Sequence, residues 1–266
     1  MLTILIAHYK ETWEQMFCLL NSISTQDIDF NLIKVIIMND GDEVVLSEDH
    51  FRQFPFSVEY RIHAKVGTYK IRNALLNMAN SKYIWYLDPD DYLLPDALSK
   101  VLPELSKDLD LLVVGCQRQV SKDVTKFFCP SYLSFSIVGC HILRREFLLQ
   151  NNLLCDESAV LAGDLVLETL PKWYARRRKR LQQAVLYYTY QPTSVTHCKN
   201  NGWRAEADNV VGNCIERLLK DNKNLAAATE FKLYLFMYNN KNIYDRFYSV
   251  FENKSLIKID YPLDLR

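Results

Sequence analysis

Glycine is scarce in this chain, with seven in 266 residues. The loops that cradle phosphate groups can therefore be searched for one by one. No GxGxxG follows the first apolar run, which disfavours a dinucleotide dehydrogenase. No GxxxxGK(S/T) occurs, which removes P-loop ATPases and kinases. GxSxG is missing too, which disfavours an α/β-hydrolase nucleophile elbow. Excess charge is also lacking: 32 basic against 32 acidic residues give a formal net charge of zero, so the molecule as a whole does not attract nucleic acid or a membrane surface. The seven cysteines include no CxxC pair, which argues against a disulfide framework or a zinc site and for a reducing, cytosolic setting. No run approaches the roughly 18 apolar residues of a membrane span, and the first residues lack a basic leader. At a membrane such a chain would visit rather than span.

What is present alternates between two periodicities. Continuous apolar runs at residues 2–7, 33–38, 83–87 and 109–114 predict strands buried on both faces. The alternation of Val58, Tyr60 and Ile62 predicts another. Between them, Trp13, Met16, Phe17, Leu20 and Ile23 recur at helical spacing behind a Thr12/Gln15 capping box. Ile71, Ala74, Leu75 and Met78 form a second helical face. Ala97, Leu98, Val101, Leu102 and Leu105 form a third, with Pro95 in its first turn and Pro103 at a kink or end. Strand–helix alternation with short connections predicts parallel pairing with right-handed crossovers. The expected fold is α/β, an open, mostly parallel mixed sheet flanked by helices. Past residue 116 the pattern loosens into strands at 134–138 and 183–190, helices at 144–150 and 164–170 (stopped by Pro171), and a helical tail over 203–252.

Open α/β sheets bind ligands beyond the carboxyl ends of their strands. Three polar clusters fall there: His8-Tyr9, Asn39-Asp40-Gly41 and Asp88-Pro89-Asp90-Asp91. The last lies in IWYLDPDDYLLPDAL, where a buried strand ends in three mutually repelling carboxylates. On extended backbone Asp88 and Asp90, two apart, face the same way. Pro89 between them fixes φ and removes a competing donor. Carboxylates this close raise one another's pKa unless a cation is present. Mg2+ or Mn2+ accepts one or two such oxygens and completes its shell with water and substrate phosphates. The plainer reading is a turn at Pro89 followed by a helix N-terminus that favours Asp91 and Asp96. For an isolated D-x-D that reading wins; the position after a buried strand favours the cation.

The stretches LTILIAHYKETWEQMFCLLNSISTQ, IKVIIMNDGDE and GTYKIRNALLNMANSKYIWYLDPDDYLLPDAL together resemble the nucleotide-binding half of a family 2 glycosyltransferase with the GT-A fold, over about the first 115 residues. LLCDESAVLAGDLVLETL resembles that family's acceptor-side segment, and LYYTYQPTSVTHC its tyrosine-rich strand. The resemblance implies a catalytic domain over residues 1–200, divided into a nucleotide-sugar half (1–115) and an acceptor half (116–200), with 201–266 as a helical appendage. It implies that Ala7, His8 and Tyr9 line the nucleotide pocket and that Asp40 reads a uracil N–H, although this chain has Asn39 where the family more often has a first acid. It further implies that Arg72, followed by Asn73, approaches the diphosphate through its planar donor fork. Asp88 would face the ribose or a metal-bound water, and Asp90 would hold Mn2+ or Mg2+ through the diphosphate, with Asp91 assisting. Asp164 aligns with the family's base, with Asp156 and Glu157 in reserve and Gly163 standing where a first acid is usual. A plain helix N-cap would also explain Asp164. His197 is a candidate third metal ligand, although lone histidines are more often structural or solvated, and the same holds for His141. A single base implies one displacement and therefore inversion at the anomeric carbon.

The run Arg176, Arg177, Arg178, Lys179 and Arg180 is the sharpest local charge feature. Such a run is usually a solvated helix face. It could instead hold a polyanionic acceptor, with Trp173, Tyr174 and Trp203 as stacking surfaces. The expected partners are a nucleotide-sugar donor, expected to be a UDP-sugar, and a saccharide or glycolipid acceptor. DNA carrying a hydroxylated base is the alternative acceptor, and a homodimer through the helical tail is a further expectation. A sugar-phosphate nucleotidyltransferase would want a glycine-rich loop where this chain has AHYKE, while a non-catalytic sugar-nucleotide binder stays open because of Gly163.

Overall fold

The apolar runs become strands of one nine-stranded sheet. The computed structural model describes residues 1–43, 45–131, 137–190, 201–238 and 241–253. The first half reads β1 (Leu2–His8), α1 (Trp13–Ser24), β2 (Ile33–Asp40), α2 (Glu48–Phe51), β3 (Ser57–His63), α3 (Thr68–Met78) and β4 (Tyr83–Tyr86). Next come β5 (Tyr92–Leu93), α4 (Ala97–Leu105), β6 (Leu111–Ser121), β7 (Val124–Phe128), β8 (His141–Arg144) and α5 (Arg145–Gln150). The chain continues with α6 (Leu165–Thr169), α7 (Pro171–Tyr174), β9 (Arg178–Tyr188), α8 (Asn201–Lys220), α9 (Asn224–Tyr238) and α10 (Lys241–Asn253).

Strand order is β3-β2-β1-β4-β8-β6-β9-β5, with β7 paired to β6. The first four strands are parallel, as the helical crossovers require. The antiparallel β8 then joins them to a second parallel pair, β6 and β9. The carboxyl ends of β1, β2 and β4 therefore share one rim, and the three polar clusters converge there.

Strand residues alternate between two cores because successive side chains point to opposite faces. Leu5, Ile36, Tyr86 and Val113 face α3, α6 and the tail helices. Ile4, Ile37, Trp85 and Val114 face α1 and α4. Trp85 is fully buried, and its Nε1–H donates to the Gly139 carbonyl at 2.7 Å, so its burial leaves no donor unpaired. The α1 capping box forms as expected: Thr12 N–H donates to Gln15 Oε1 at 2.9 Å, and Gln15 N–H donates to Thr12 Oγ1 at 3.4 Å.

The second half departs from expectation in several places. Pro171 starts α7 rather than merely ending a helix, because a first-turn proline lacks only an N–H that has no helical partner anyway. Pro103 lies inside α4, and Pro95 precedes that helix. The hairpin of β6 and β7 and the two-residue β5 carry too little periodicity to be read. The strand expected at 134–138 lies mostly outside the described residues. The tail helices share one hydrophobic cluster with α6 and the sheet, through residues such as Val211, Ile215, Phe231 and Phe247. Contacts therefore cross the boundary expected at residue 200. No described helix is long and apolar enough to cross a membrane.

Candidate active site

Two adjacent residues of α3 tie the halves of the chain together. Arg72 is buried, and its Nη2 donates to Asp88 Oδ1 while Nη1 donates to Asp164 Oδ2, each at 2.6 Å. Asn73 Nδ2 donates to the Cys155 carbonyl at 3.0 Å and to Glu157 Oε1 at 2.9 Å, while Asn73 Oδ1 accepts from Cys155 N–H at 2.9 Å. The sequence expected Arg72 to approach a diphosphate. In this structure its donor fork holds two carboxylates 76 positions apart along the chain, and these keep its guanidinium charged despite the burial.

Asp164 sits at the N-cap position of α6, yet its side chain makes no capping hydrogen bond. The capping explanation therefore fails for its carboxylate, which is partly exposed and turned toward Arg72. Gly163 has a packing reason: a Cβ there would fall 2.4 Å from the Asp156 carbonyl and 2.6 Å from the Tyr69 ring. The reserve candidates serve locally. Asp156 Oδ1 accepts from the N–H and hydroxyl of Ser158 at 2.9 and 2.6 Å, and Glu157 holds Asn73.

Asp88, Asp90 and Asp91 cluster as the pattern requires. Burial, reinforced by the Asp88 charge, pushes Asp90 up to about 6. Asp91 is almost fully buried and well above the usual carboxylate range, chiefly through burial and then through Asp88 and Asp90. Its Oδ1 accepts from Thr189 N–H at 2.9 Å, so it anchors the turn to the end of β9. One carboxyl was missed from the sequence. Glu11 is pushed up to about 7 by burial, against hydrogen bonds that include Tyr9 N–H, with Asp88 and Asp90 adding repulsion. A lone Glu two residues beyond Tyr9 carried no pattern to mark it.

Around the expected base pocket the side chains stand as follows. His8 is fully buried, and its Nε2 lies 2.9 Å from the Glu11 carbonyl at the carboxyl end of β1. Asp40 is also buried. One of its oxygens accepts from Val66 N–H at 2.7 Å, the other from Lys65 Nζ at 2.7 Å, and Gly67 N–H reaches both. With both oxygens engaged, Asp40 clamps the turn leading into α3. Asn39 is equally committed, to Tyr60 and Asp42. Tyr9 is half-buried, and Lys65 Nζ lies 3.0 Å from its ring centroid, so a cation covers the face on which a base would stack. Ala7 is partly buried against the core.

The remaining candidates divide simply. His141 is buried, its Nδ1 lies 3.0 Å from the Leu167 carbonyl, and burial lowers it to about 4, so it is a neutral core residue. His197 lies outside the described residues. Trp173 Nε1–H donates to Glu230, making it a link to α9 rather than a stacking platform. Trp203 is half-buried against the core. The basic run opens β9, where Arg177 pairs with Asp108, Lys179 with Glu104, and Arg178 and Arg180 with the carbonyls of Lys172 and Pro130. It does not form a free cationic stripe.

The α/β sheet, with an acid cluster after β4 and a facing carboxylate at the start of α6, has the GT-A fold. The model described as "Glycosyl transferase family 2" matches residues 3–166, and the chain belongs to that family. It is 26% identical over 191 residues to the uncharacterized glycosyltransferase EpsJ of Bacillus subtilis (strain 168), covering 62% of this chain and 54% of that one. It is 27% identical over 101 residues to the minor teichoic acid biosynthesis protein GgaB of the same strain, covering 36% of this chain and 11% of that one. The chain thus spans about half, or much less, of the curated relatives it matches. Among solved structures, S. aureus TarS 1-349 superposes with a TM-score of 0.72 at 17% identity, over 90% of this chain and 73% of that one. Its complex with UDP-GlcNAc gives 0.74 at 16% identity, over 96% and 78%. Likeness at that identity speaks for the fold.

Proposed function

We propose that the chain is a metal-dependent, inverting glycosyltransferase that moves a sugar from a UDP-sugar to a hydroxyl of a saccharide or glycolipid acceptor. The observation that carries this reading is the Arg72 clasp, which sets the Asp88 cluster and the Asp164 carboxylate on two sides of one guanidinium. A uridine donor is favoured because the S. aureus TarS fold neighbour is solved with UDP and with UDP-GlcNAc. An acceptor hydroxyl on a glycan, including a phosphoglycan, is favoured by the naming of GgaB for teichoic acid biosynthesis.

The residues fit a divalent ion of the Mg2+ type. Asp88 and Asp90 offer hard oxygen donors, and the raised pKa of Asp90 reflects burial and repulsion that a cation would relieve. No group of three or more His, Cys, Asp or Glu among the described residues could hold a metal, so two carboxylates would leave the other positions to water and phosphate. When bound, the ion supplies positive charge to a departing diphosphate. Asp164 accepts the proton of the acceptor hydroxyl as that oxygen attacks the anomeric carbon. Arg72 holds Asp164 in line, and the buried wall of α3 and Tyr69 excludes water from one side. One base on one face gives one displacement, hence inversion.

The DNA acceptor loses its main support because Arg177 to Arg180 are internally paired. A homodimer through residues 201–266 gains nothing from the core faces of α8 and α9, which bury Val211, Ile215 and Phe231 within the chain. The test is Asp164→Asn with a UDP-sugar, Mn2+ and a glycan acceptor. Loss of kcat by ~10^2–10^4 with UDP affinity kept is the expected outcome for a general base. Full activity in that variant, or NMR showing a retained anomeric configuration, overturns the reading.

A further inference from the structure

A cavity of about 550 Å3 lies on the rim of the sheet opposite the acid cluster. Its wall residue Arg144 pairs with Tyr83 at the start of β4, whereas the aspartates follow that strand's end. We propose that this cavity binds a phosphate-bearing anion at a site separate from the donor site. The inference rests on the cavity alone and stands or falls independently of the proposed transfer reaction.

Three arginines, Arg144, Arg176 and Arg177, line it together with Asp110 and Tyr174. The acids nearby are already committed. Asp110 accepts the backbone N–H groups of Arg176 and Arg177 at 3.0 and 2.9 Å and pairs with Arg144. Asp108 pairs with Lys82 at 2.6 Å, with Arg144 at 3.4 Å and with Arg177. Asp221 accepts from the Tyr174 hydroxyl, and Glu146 accepts from the lining residue Gln150 at 2.9 Å. Arg217 and Lys223 lie 5.3 and 4.9 Å from the Tyr174 ring centroid. Six cations thus surround four carboxylates.

The surplus shows at Arg176. Its backbone is fixed by Asp110, while its exposed guanidinium has no partner among the described residues. A planar fork held at its base and unpaired at its tip suits the oxygens of a phosphate. The volume falls within the ~300–1,000 Å3 typical of small-ligand sites and exceeds what one phosphate fills, so a phosphomonoester or a short phosphodiester fits best. Free phosphate and a phosphodiester chain share this chemistry.

Isothermal titration of inorganic phosphate, and separately of a glycerol phosphodiester oligomer, into the full chain tests the site. Arg176→Gln is the informative variant because that side chain makes no hydrogen bond or ion pair among the described residues, and an unchanged melting temperature checks its fold. Binding should weaken tenfold or more in Arg176→Gln and stay unchanged in Asp88→Asn/Asp90→Asn. Tighter binding of the oligomer assigns a polymer; equal or tighter binding of orthophosphate assigns the free anion. No binding to the unaltered chain, equal binding in Arg176→Gln, or loss in the aspartate variant would each overturn the proposal.

Discussion

Arg72 offers two parallel donors to carboxylates from different halves of the chain, 2.6 Å to Asp88 and 2.6 Å to Asp164. An ammonium in its place keeps the charge but presents no fork of fixed geometry. Arg72→Lys should therefore lower kcat/KM by about 10^2 or more, since displacement of a base by as little as 1 Å has that effect. Circular dichroism should show the fold retained; a variant with normal kcat/KM would deny Arg72 its positioning role. The acid cluster makes a second prediction. Glu11 at about 7 and Asp90 at about 6 both lie above their unfolded values, so the folded chain holds extra protons through the window from roughly pH 4 to 7. Stability from the neutral forms is present below that window and is lost as pH rises through it. Asp40 and Asp110, held below the usual carboxylate range by their donors against the cost of burial, titrate beneath it and do not offset the loss. Thermal melts should show Mn2+ stabilising the chain at pH 7.5, by about 3 kcal/mol at 100 times its Kd, and much less at pH 5, where protons compete. Equal stabilisation at both values would place the metal elsewhere. That Asp88 and Asp90 lie on the rim was legible because they follow a strand with a strong apolar pattern; Asp164 was singled out only through the family resemblance. Glu11 and the inward turn of Asp40 were not, since both depend on how Tyr9 and the 65–67 turn close over the rim.

At the scale of elements, the segment from Cys155 to α6 is positioned by packing that leaves one site no room for a side chain. Asp156 N–H donates to the Gly163 carbonyl at 2.9 Å, and the Tyr69 ring covers the position a Gly163 Cβ would take. A side chain at position 163 therefore cannot be accommodated without moving the Asp156 carbonyl and the Tyr69 ring. Gly163→Glu should lower both melting temperature and kcat, and Gly163→Ala should do the same to a smaller degree, because overpacking of this kind costs about 1–3 kcal/mol. A gain of activity in Gly163→Glu would refute the steric account. The parallel strands β1, β2 and β4 and the helices α1 and α3 were readable since their periodicities are long and unbroken. The β6–β7 hairpin and the start of β9 were not. There the basic residues alternate with few apolar ones, and the strand is set by Asp108, Glu104 and the carbonyl of Pro130 rather than by hydrophobic pattern.

At the scale of the molecule, the tail helices and the catalytic body meet across a buried ion pair. Lys172 of α7 reaches Glu230 of α9 at 2.7 Å, with side chains 4% and 0% exposed, and Trp173 Nε1–H donates to the same carboxylate oxygen at 2.6 Å. Removing water from both charges is costly, and their attraction offsets that cost only while both are present. Burial alone would push Glu230 up; Lys172 and the indole N–H counter it without cancelling it. Lys172→Met leaves the acid without its counter-charge and should destabilise the chain by about 3–5 kcal/mol, unless Glu230 takes up a proton. The loss should accordingly be smaller at pH 5 than at pH 8. Lys172→Met/Glu230→Leu replaces the pair with apolar volume in a buried site beside Cys214, and should recover most of the stability. Denaturant melts of the two variants at both pH values form the test. If the double variant is no more stable than the single one, the pair contributes net attraction between the layers; if Lys172→Met is neutral at pH 8, the tail is held by its apolar cluster alone.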